Sequence, residues 1–271
     1  MRLEDKVVAL TGAGSGIGRA LALALARLGA RVALADKDAD GLRETAQRVA
    51  AAGGSASEHV LDVSDGAAVR AYADAVLQTH GTVDVAINNA GVALYGSVAE
   101  LAADEIAWLM NVNFWGVVHG TQAFLPTLLT RPEAAIVNLS SVFGLWAPPG
   151  QAAYAASKFA VRGFSESLRA ELDGTPVRVI TVHPGGVKTA IAARTRVARA
   201  ADPALAARMR VAFEKRFLTT PAETAATAIV EGLTRGHERV LIGADAHRID
   251  RVTRLFPVSG PRWLARAARP R

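Results

Sequence analysis

The sequence predicts an α/β fold, a single domain built on one doubly wound parallel sheet with helices on both faces. Two observations carry this expectation. Short apolar runs alternate with helix-period segments along most of the 271 residues, and a glycine-rich turn joins the first run to the first helix. No internal repeat or low-complexity linker divides the chain.

Taken in order, Val7 to Leu10 is an apolar strand, and Ile17 to Leu28 is a helix stopped by Gly29. Val32 to Ala35 is a second strand ending at Asp36, and helix-period residues fill Ala39 to Ala52 before Gly53-Gly54. A strand from Ser57 to Leu61, a helix from Ala67 to Thr79 and a strand from Val83 to Ile87 follow. One long helix is expected over Asp104 to Leu129. Then come a strand over Ala135 to Leu139, a helix running through Tyr154 to about Leu172, and a strand over Val177 to Val182. Thr220-Pro221 is a good helix start, with Pro at the first helical position and Glu223 in the first turn. That helix reaches about Leu233, and Val240 to Ile242 is the last strand.

Composition limits the function classes. Half the residues are hydrophobic, enough for a large core. There is no cysteine, so neither a disulfide framework nor a thiolate metal site can form. The six histidines have no ligand spacing, and no metal is expected; His119 and His183 read as packing residues. The N-terminal residues lack the apolar core of a signal peptide, and no apolar run is long enough to span a bilayer. A cytoplasmic protein is therefore expected. The formal charge is +6, with arginines crowding residues 194–216 and the C-terminal tail. No nucleic-acid motif accompanies them, so no nucleic-acid partner is expected.

The turn Thr11-Gly-Ala-Gly-Ser-Gly-Ile-Gly18 lets the backbone approach a pyrophosphate and offers amide N–H groups at the positive end of a helix. Gly12, Ser15, Gly16, Ile17 and Gly18 are the candidate contacts. Such a turn between the first strand and helix suggests a Rossmann-like dinucleotide site. Asp36, ending the second strand, is placed to accept hydrogen bonds from the adenosine ribose hydroxyls and to repel a 2′-phosphate, which favours NAD. Lys37 beside it leaves NADP open.

Tyr154 and Lys158 stand one helical turn apart on the same face. An ammonium there is expected to draw a phenol pKa down from about 10 toward working pH, so that the phenol can take a proton from an alcohol or give one to a ketone. Ser141 follows the strand Ala135 to Leu139, at the end where open α/β sheets place ligands. Alone, Tyr154 would read as a half-buried helix tyrosine and Lys158 as a solvated lysine.

In their order and spacing, Thr11-Gly-x-x-x-Gly-x-Gly18, Asp62-Val63, Asn88-Asn89-Ala90-Gly91, Asn113, Ser141, Tyr154-x-x-x-Lys158 and Pro184-Gly185 make the chain resemble the short-chain dehydrogenase/reductase family from about Leu3 to Thr189. The resemblance implies an NAD(P)-dependent oxidoreductase acting on a secondary alcohol or ketone. Tyr154 would be the general acid/base, Ser141 would stabilise the substrate oxygen, and Lys158 would tune Tyr154 and bind the nicotinamide ribose. Asn113 would hold a water through its backbone carbonyl; Ser140 and Asn111 are the neighbouring alternatives that the family spacing disfavours. Asp62 and Val63 would meet the adenine, and Asn89, Ala90 and Gly91 would border the adenosine. Val187 and Thr189, after Pro184 and Gly185, would meet the carboxamide.

Past Thr189 the resemblance loosens. Residues 1–243 would form the NAD(P)-binding domain, with a helix-prone substrate flap over about 190–218 and a basic extension over 244–271. Met209, Phe213 and Phe217 could line the flap, while Trp146, Leu145, Leu94 and Tyr95 suggest an apolar cleft for a hydrophobic substrate. Where many relatives end soon after a glycine-rich strand, the chain continues into this extension, which puts the family's usual homotetramer in doubt and makes a homodimer the safer expectation. The extension could cap the cleft or touch an acidic membrane surface, although Pro257, Gly260 and Pro261 interrupt it. A non-catalytic dinucleotide-binding regulator of the same fold is the alternative function.

Overall fold

The computed structural model describes residues 1–204, 206–208, 211 and 217–268. Its main sheet is parallel throughout and Rossmann-like. The strands are β1 (Val7–Thr11), β2 (Arg31–Asp36), β3 (Ser55–Val60), β4 (Val85–Asn88), β6 (Ala134–Leu139), β7 (Val177–Pro184) and β9 (Arg239–Ile242). They lie in the order β3-β2-β1-β4-β6-β7-β9. A two-stranded sheet pairs β5 (Leu94–Tyr95) with β8 (Arg196–Val197). Every residue of β1, β4 and β6 is buried, because helices cover both faces of the inner strands.

One covering layer contains α1 (Gly16–Arg27) and α8 (Ala222–Arg235), with Leu21, Leu25, Ile229 and Leu233 in its core. The α2 helix (Ala39–Ala51) flanks it through Leu42 and Val49. On the opposite face, α3 (Gly66–His80), α5 (Gly116–Leu128) and α6 (Ala152–Glu171) bury Tyr72, Val76, Phe124, Leu128 and Leu168. Strand order reverses between β1 and β4, so the loops leaving their carboxyl ends diverge and open a crevice.

Two expectations are corrected. The long helix over Asp104 to Leu129 is instead α4 (Ala103–Met110), a π turn over Asn111–Trp115 and α5. The turn inserts Asn113, whose carboxamide bonds the Val92 backbone both ways: Oδ1 accepts from the amide at 2.8 Å and Nδ2 donates to the carbonyl at 3.0 Å. Two strong bonds to a neighbouring loop outweigh helical regularity there. The helix-prone stretch after Thr189 is interrupted: the four-residue α7 (Ala190–Ala193) gives way to β8, because the Arg196 amide bonds the Ala93 carbonyl and draws the chain into a strand. The described residues 203–204, 206–208, 211 and 217 are helical again.

Beyond β9 the chain forms α9 (Ala244–Leu255) and α10 (Ser259–Ala268). Ala246, Ile249 and Leu264 pack with Val142, Leu145 and Trp146, so this pair joins the core beside the carboxyl end of the sheet. No helix among the described residues is long and apolar enough to cross a membrane.

Candidate active site

The carboxyl ends of β1, β2, β4, β6 and β7 converge on one cavity of about 760 Å³. The glycine turn, Asp36 with Lys37, Asp62 with Val63, and Asn89-Ala90-Gly91 border it. So do Ser141, Tyr154, Lys158, Pro184, Gly185, Val187 and Thr189. Asn113 stands behind the wall, fully buried.

The turn between β1 and α1 is a cradle that side chains would fill. Gly12 has φ +67°, and a Cβ there would come within 2.8 Å of the Ala90 backbone. A Cβ on Gly18 would strike the Gly12 carbonyl and approach Asn89 Nδ2 to 2.7 Å. Asn89 Nδ2 also donates to the Thr11 and Gly12 carbonyls, at 2.9 and 3.0 Å, fixing the turn against the end of β4. Ser15 caps α1 without a side-chain bond to it, so its hydroxyl faces no competition from its own helix. A backbone cradle at a helix N-terminus, with Asp36 at the end of the next strand, fits the pyrophosphate and ribose of a dinucleotide.

Asp36 is itself engaged. Its carboxylate accepts from the Gly14 amide at 2.8 Å and the Asp38 amide at 3.0 Å, which holds the side chain toward the glycine turn. Burial works against ionisation of Asp62, but bonds from Ser64 and the nearby Lys37 ammonium hold its carboxyl below the ordinary range.

On the other half of the cleft, α6 carries Tyr154 and Lys158. The Lys158 ammonium lies 5.8 Å from the Tyr154 ring centre and donates to the Leu139 carbonyl at 2.9 Å. Ser141 Oγ accepts from the Phe143 amide at 3.1 Å and is within hydrogen-bonding reach of the Tyr154 phenol. Ser140 also borders the cavity, but its hydroxyl is committed, donating to the Lys158 carbonyl at 2.8 Å. Asn113 Nδ2 donates to Ser157 Oγ at 3.1 Å, and Ser157 donates to the Tyr154 carbonyl at 2.7 Å. Asn111, by contrast, is exposed.

The electrostatics differ from the expected lowering of Tyr154. Burial raises the phenol pKa, opposed by the Ser141 bond. The same burial draws Lys158 down to about 8. Both side chains are packed away from water, and desolvation penalises whichever form is charged. His183 Nδ1 lies 3.1 Å from the Ser141 carbonyl, and burial brings its pKa down to about 4. The ring is thus neutral at physiological pH, and Nδ1–H donates to that carbonyl.

The remaining wall is apolar. Tyr95 and Trp146 border the cavity as expected, together with Phe143 and Phe217. Leu94 and Leu145 do not; they are buried behind the wall. Met209 and Phe213 lie outside the described residues. Sequence reasoning missed several contributors. Trp108 borders the cavity with Arg196 stacked 3.7 Å above its ring centre. Asp245, Ile249 and Ala265 reach it from the two last helices. Trp146 Nε1 donates to the Pro261 carbonyl at 3.3 Å, fastening this pair to the cleft. No local motif marks these residues, which are brought in by long-range packing.

Comparison with known proteins agrees with this geometry. The family profile described as short chain dehydrogenase matches residues 6–200. A Mycobacterium tuberculosis protein named as the oxidoreductase SadH is 46% identical over 264 residues, covering 97% of this chain and 95% of its own. The 1-deoxy-11-beta-hydroxypentalenate dehydrogenase of Streptomyces avermitilis is 42% identical over 195 residues, covering 70% of this chain and 71% of its own. A short chain dehydrogenase/reductase from Burkholderia phymatum, solved in complex with NAD, superposes with a TM-score of 0.86 at 34% identity, covering 94% and 95% of the two chains. The chain belongs to the short-chain dehydrogenase/reductase family of oxidoreductases.

Proposed function

We propose that the protein interconverts hydrophobic secondary alcohols and ketones with a nicotinamide dinucleotide, NAD in preference to NADP, in the cytoplasm. The observation that carries this reading is the convergence of Ser141, Tyr154 and Lys158 on a cavity that Tyr95, Trp108, Phe143 and Trp146 also line. The glycine cradle supports a dinucleotide, and Asp36 supports NAD; Lys37 is the residue that would admit NADP. The Burkholderia relative's complex with NAD supports the same choice.

When bound, the dinucleotide supplies or accepts the hydride at the carbinol carbon. Gly12, Ser15, Gly16, Ile17 and Gly18 would hold its phosphates, and Asp62, Val63, Asn89, Ala90 and Gly91 its adenosine side. Pro184, Gly185, Val187 and Thr189 would hold the nicotinamide side. In ketone reduction Tyr154 gives its phenolic proton to the substrate oxygen; in alcohol oxidation it takes that proton back. Ser141, whose oxygen already accepts from the Phe143 amide, donates its O–H to the same substrate oxygen. Lys158 favours the phenolate against the burial that opposes it, and Asn113 orders the path from Lys158 to solvent.

Residues 1–243 form the cofactor-binding domain in this reading, with 190–218 as its flap, and Asp245, Ile249, Ala265 and Ala268 of the extension complete the substrate wall. Trp115 and Phe159 are 47% and 40% exposed, on the helical segments that carry Asn113 and Tyr154. They support a homodimer paired across those segments.

The test is binding of NADH and NADPH, then a turnover screen of ketones and secondary alcohols with the tighter cofactor. Tyr154→Phe should keep cofactor binding and lose about 10²- to 10⁴-fold in turnover. Binding of neither dinucleotide, or full turnover by Tyr154→Phe, would sink the reading.

A further inference from the structure

The helices α9 and α10 present two faces of different kinds. Inward, Ile249, Ala265 and Ala268 border the cavity. Both carboxylates of residues 244–268 are also committed to protein partners: Asp245 accepts from the Gly186 amide, and Asp250 takes Arg239 and Arg254. Outward, Arg248, Arg251 and Leu255 fall on one stripe of α9, at spacings of three and four residues, and all are exposed. Arg262, Trp263 and Arg266 are exposed on α10. The two stripes meet where the Phe256 and Trp263 rings lie 5.0 Å apart.

That junction is unusually apolar for exposed surface. Leu255 is 72% exposed, Val258 73%, Trp263 48% and Phe256 46%. Among the described residues, Arg248, Arg251, Arg262 and Arg266 have no ion-pair partner. Large exposed apolar side chains on two helices that also expose unpaired guanidinium groups, with the carboxylates of those helices held by other partners, complement a layer that is apolar inside and anionic outside.

We propose that this outer face docks the protein on an anionic lipid surface. Leu255, Phe256, Val258 and Trp263 enter the interfacial layer, and the four arginines lie on the headgroups. A second copy is a poorer occupant. Two such faces related by a two-fold axis would set unpaired arginines against one another with no free carboxylate between them. Docking itself does not depend on the catalytic reading. If that reading holds, the helix pair that touches the bilayer also walls the cavity, and a lipophilic alcohol or ketone reaches Tyr154 beside the membrane.

The test uses the full chain with vesicles of phosphatidylcholine alone, or with about one-third phosphatidylglycerol. Co-sedimentation with the mixed vesicles only is expected, weakening as salt is raised. Tryptophan emission should shift to the blue on binding, and Trp263→Phe should lose most of that shift. Arg251→Gln with Arg262→Gln should weaken binding roughly twenty-five-fold, about fivefold for each arginine. Leu255→Ser with Val258→Ser should weaken it while retaining salt dependence. Turnover of a water-soluble ketone should be unchanged in all these variants, which separates failure of docking from failure of the enzyme reading. Arg262→Gln alone serves if a double variant does not fold. The proposal is overturned by no binding to either vesicle, equal binding to both, or arginine variants that bind as the parent does. It is also overturned if Leu255→Ser with Val258→Ser halves the oligomer, or if these arginines hold DNA in place of the mixed vesicles.

Discussion

Asp245 Oδ2 accepts the Gly186 amide at 2.8 Å, joining the first turn of α9 to the Pro184-Gly185-Gly186 turn that ends β7. A residue from the last thirty of the chain therefore holds the loop on the proposed nicotinamide side. The fit is close: Gly185 could carry no Cβ without striking the Asp245 carboxylate.

Asp245→Ala leaves the Gly186 N–H without this partner. We expect a loss of about 1–3 kcal/mol in denaturant unfolding, together with weaker dinucleotide binding. Asp245→Asn keeps an acceptor oxygen and should cost less. Unchanged cofactor affinity in the alanine variant would show that the tie is dispensable to the loop.

Gly18→Ala places a Cβ against the Gly12 carbonyl and Asn89 Nδ2. Backbone cannot yield there without opening the turn. Overpacking of this kind costs about 1–3 kcal/mol, and NADH affinity should fall more than stability does. Fluorescence titration beside a thermal melt separates the two effects.

His183 makes stability depend on pH. Burial is the largest cause of its lowered pKa; the Ser141 carbonyl opposes the shift, Arg239 and Arg162 add to it, and Asp250 opposes it. The unfolded histidine titrates near 6.5 and the folded one near 4, so unfolding takes up a proton between them. Stability is fully present above the upper value and falls by about 3 kcal/mol as pH drops through the lower one. His183→Gln should flatten the unfolding free energy across that window. A variant as steep as the parent there would assign the acid sensitivity to other groups.

Beneath the site, Asn138 accepts from Asn88 Nδ2 at 2.8 Å and donates to Ser165 Oγ at 3.0 Å, with no exposure to solvent. Asn138→Ala removes one bond from each of two buried partners, Asn88 keeping Thr121 and Ser165 keeping the Val161 carbonyl, and should cost about 1–3 kcal/mol. Because β6 continues from Asn138 into Leu139, whose carbonyl holds Lys158, a reduced turnover should accompany the lower melting temperature. Loss of stability with full turnover would uncouple this ladder from the site.

The parallel sheet, the glycine turn and the Tyr154–Lys158 pair were legible in the sequence because each is a local pattern. Apolar runs set the strands, a helical turn sets which side chains are neighbours, and positive φ selects glycine at position 12. The π turn at Asn113 was not legible, since only the Val92 backbone across the loop makes an irregular turn favourable. The direction of the Tyr154 shift was not legible either. Spacing brings the ammonium near the phenol, whereas the opposing desolvation comes from residues far apart in sequence.

By itself, then, the sequence determined the alternation of the main strands and helices, the glycine turn after β1 and the neighbouring positions of Tyr154 and Lys158. Only the tertiary structure decided the lowered pKa values of Lys158 and His183, the place of Asp245 against Gly186, and the cavity wall made by Trp108, Ile249 and Ala265. The physical reason is range. Backbone propensity and periodicity act over a few residues, while burial and closure of a cavity are sums over contacts between distant segments.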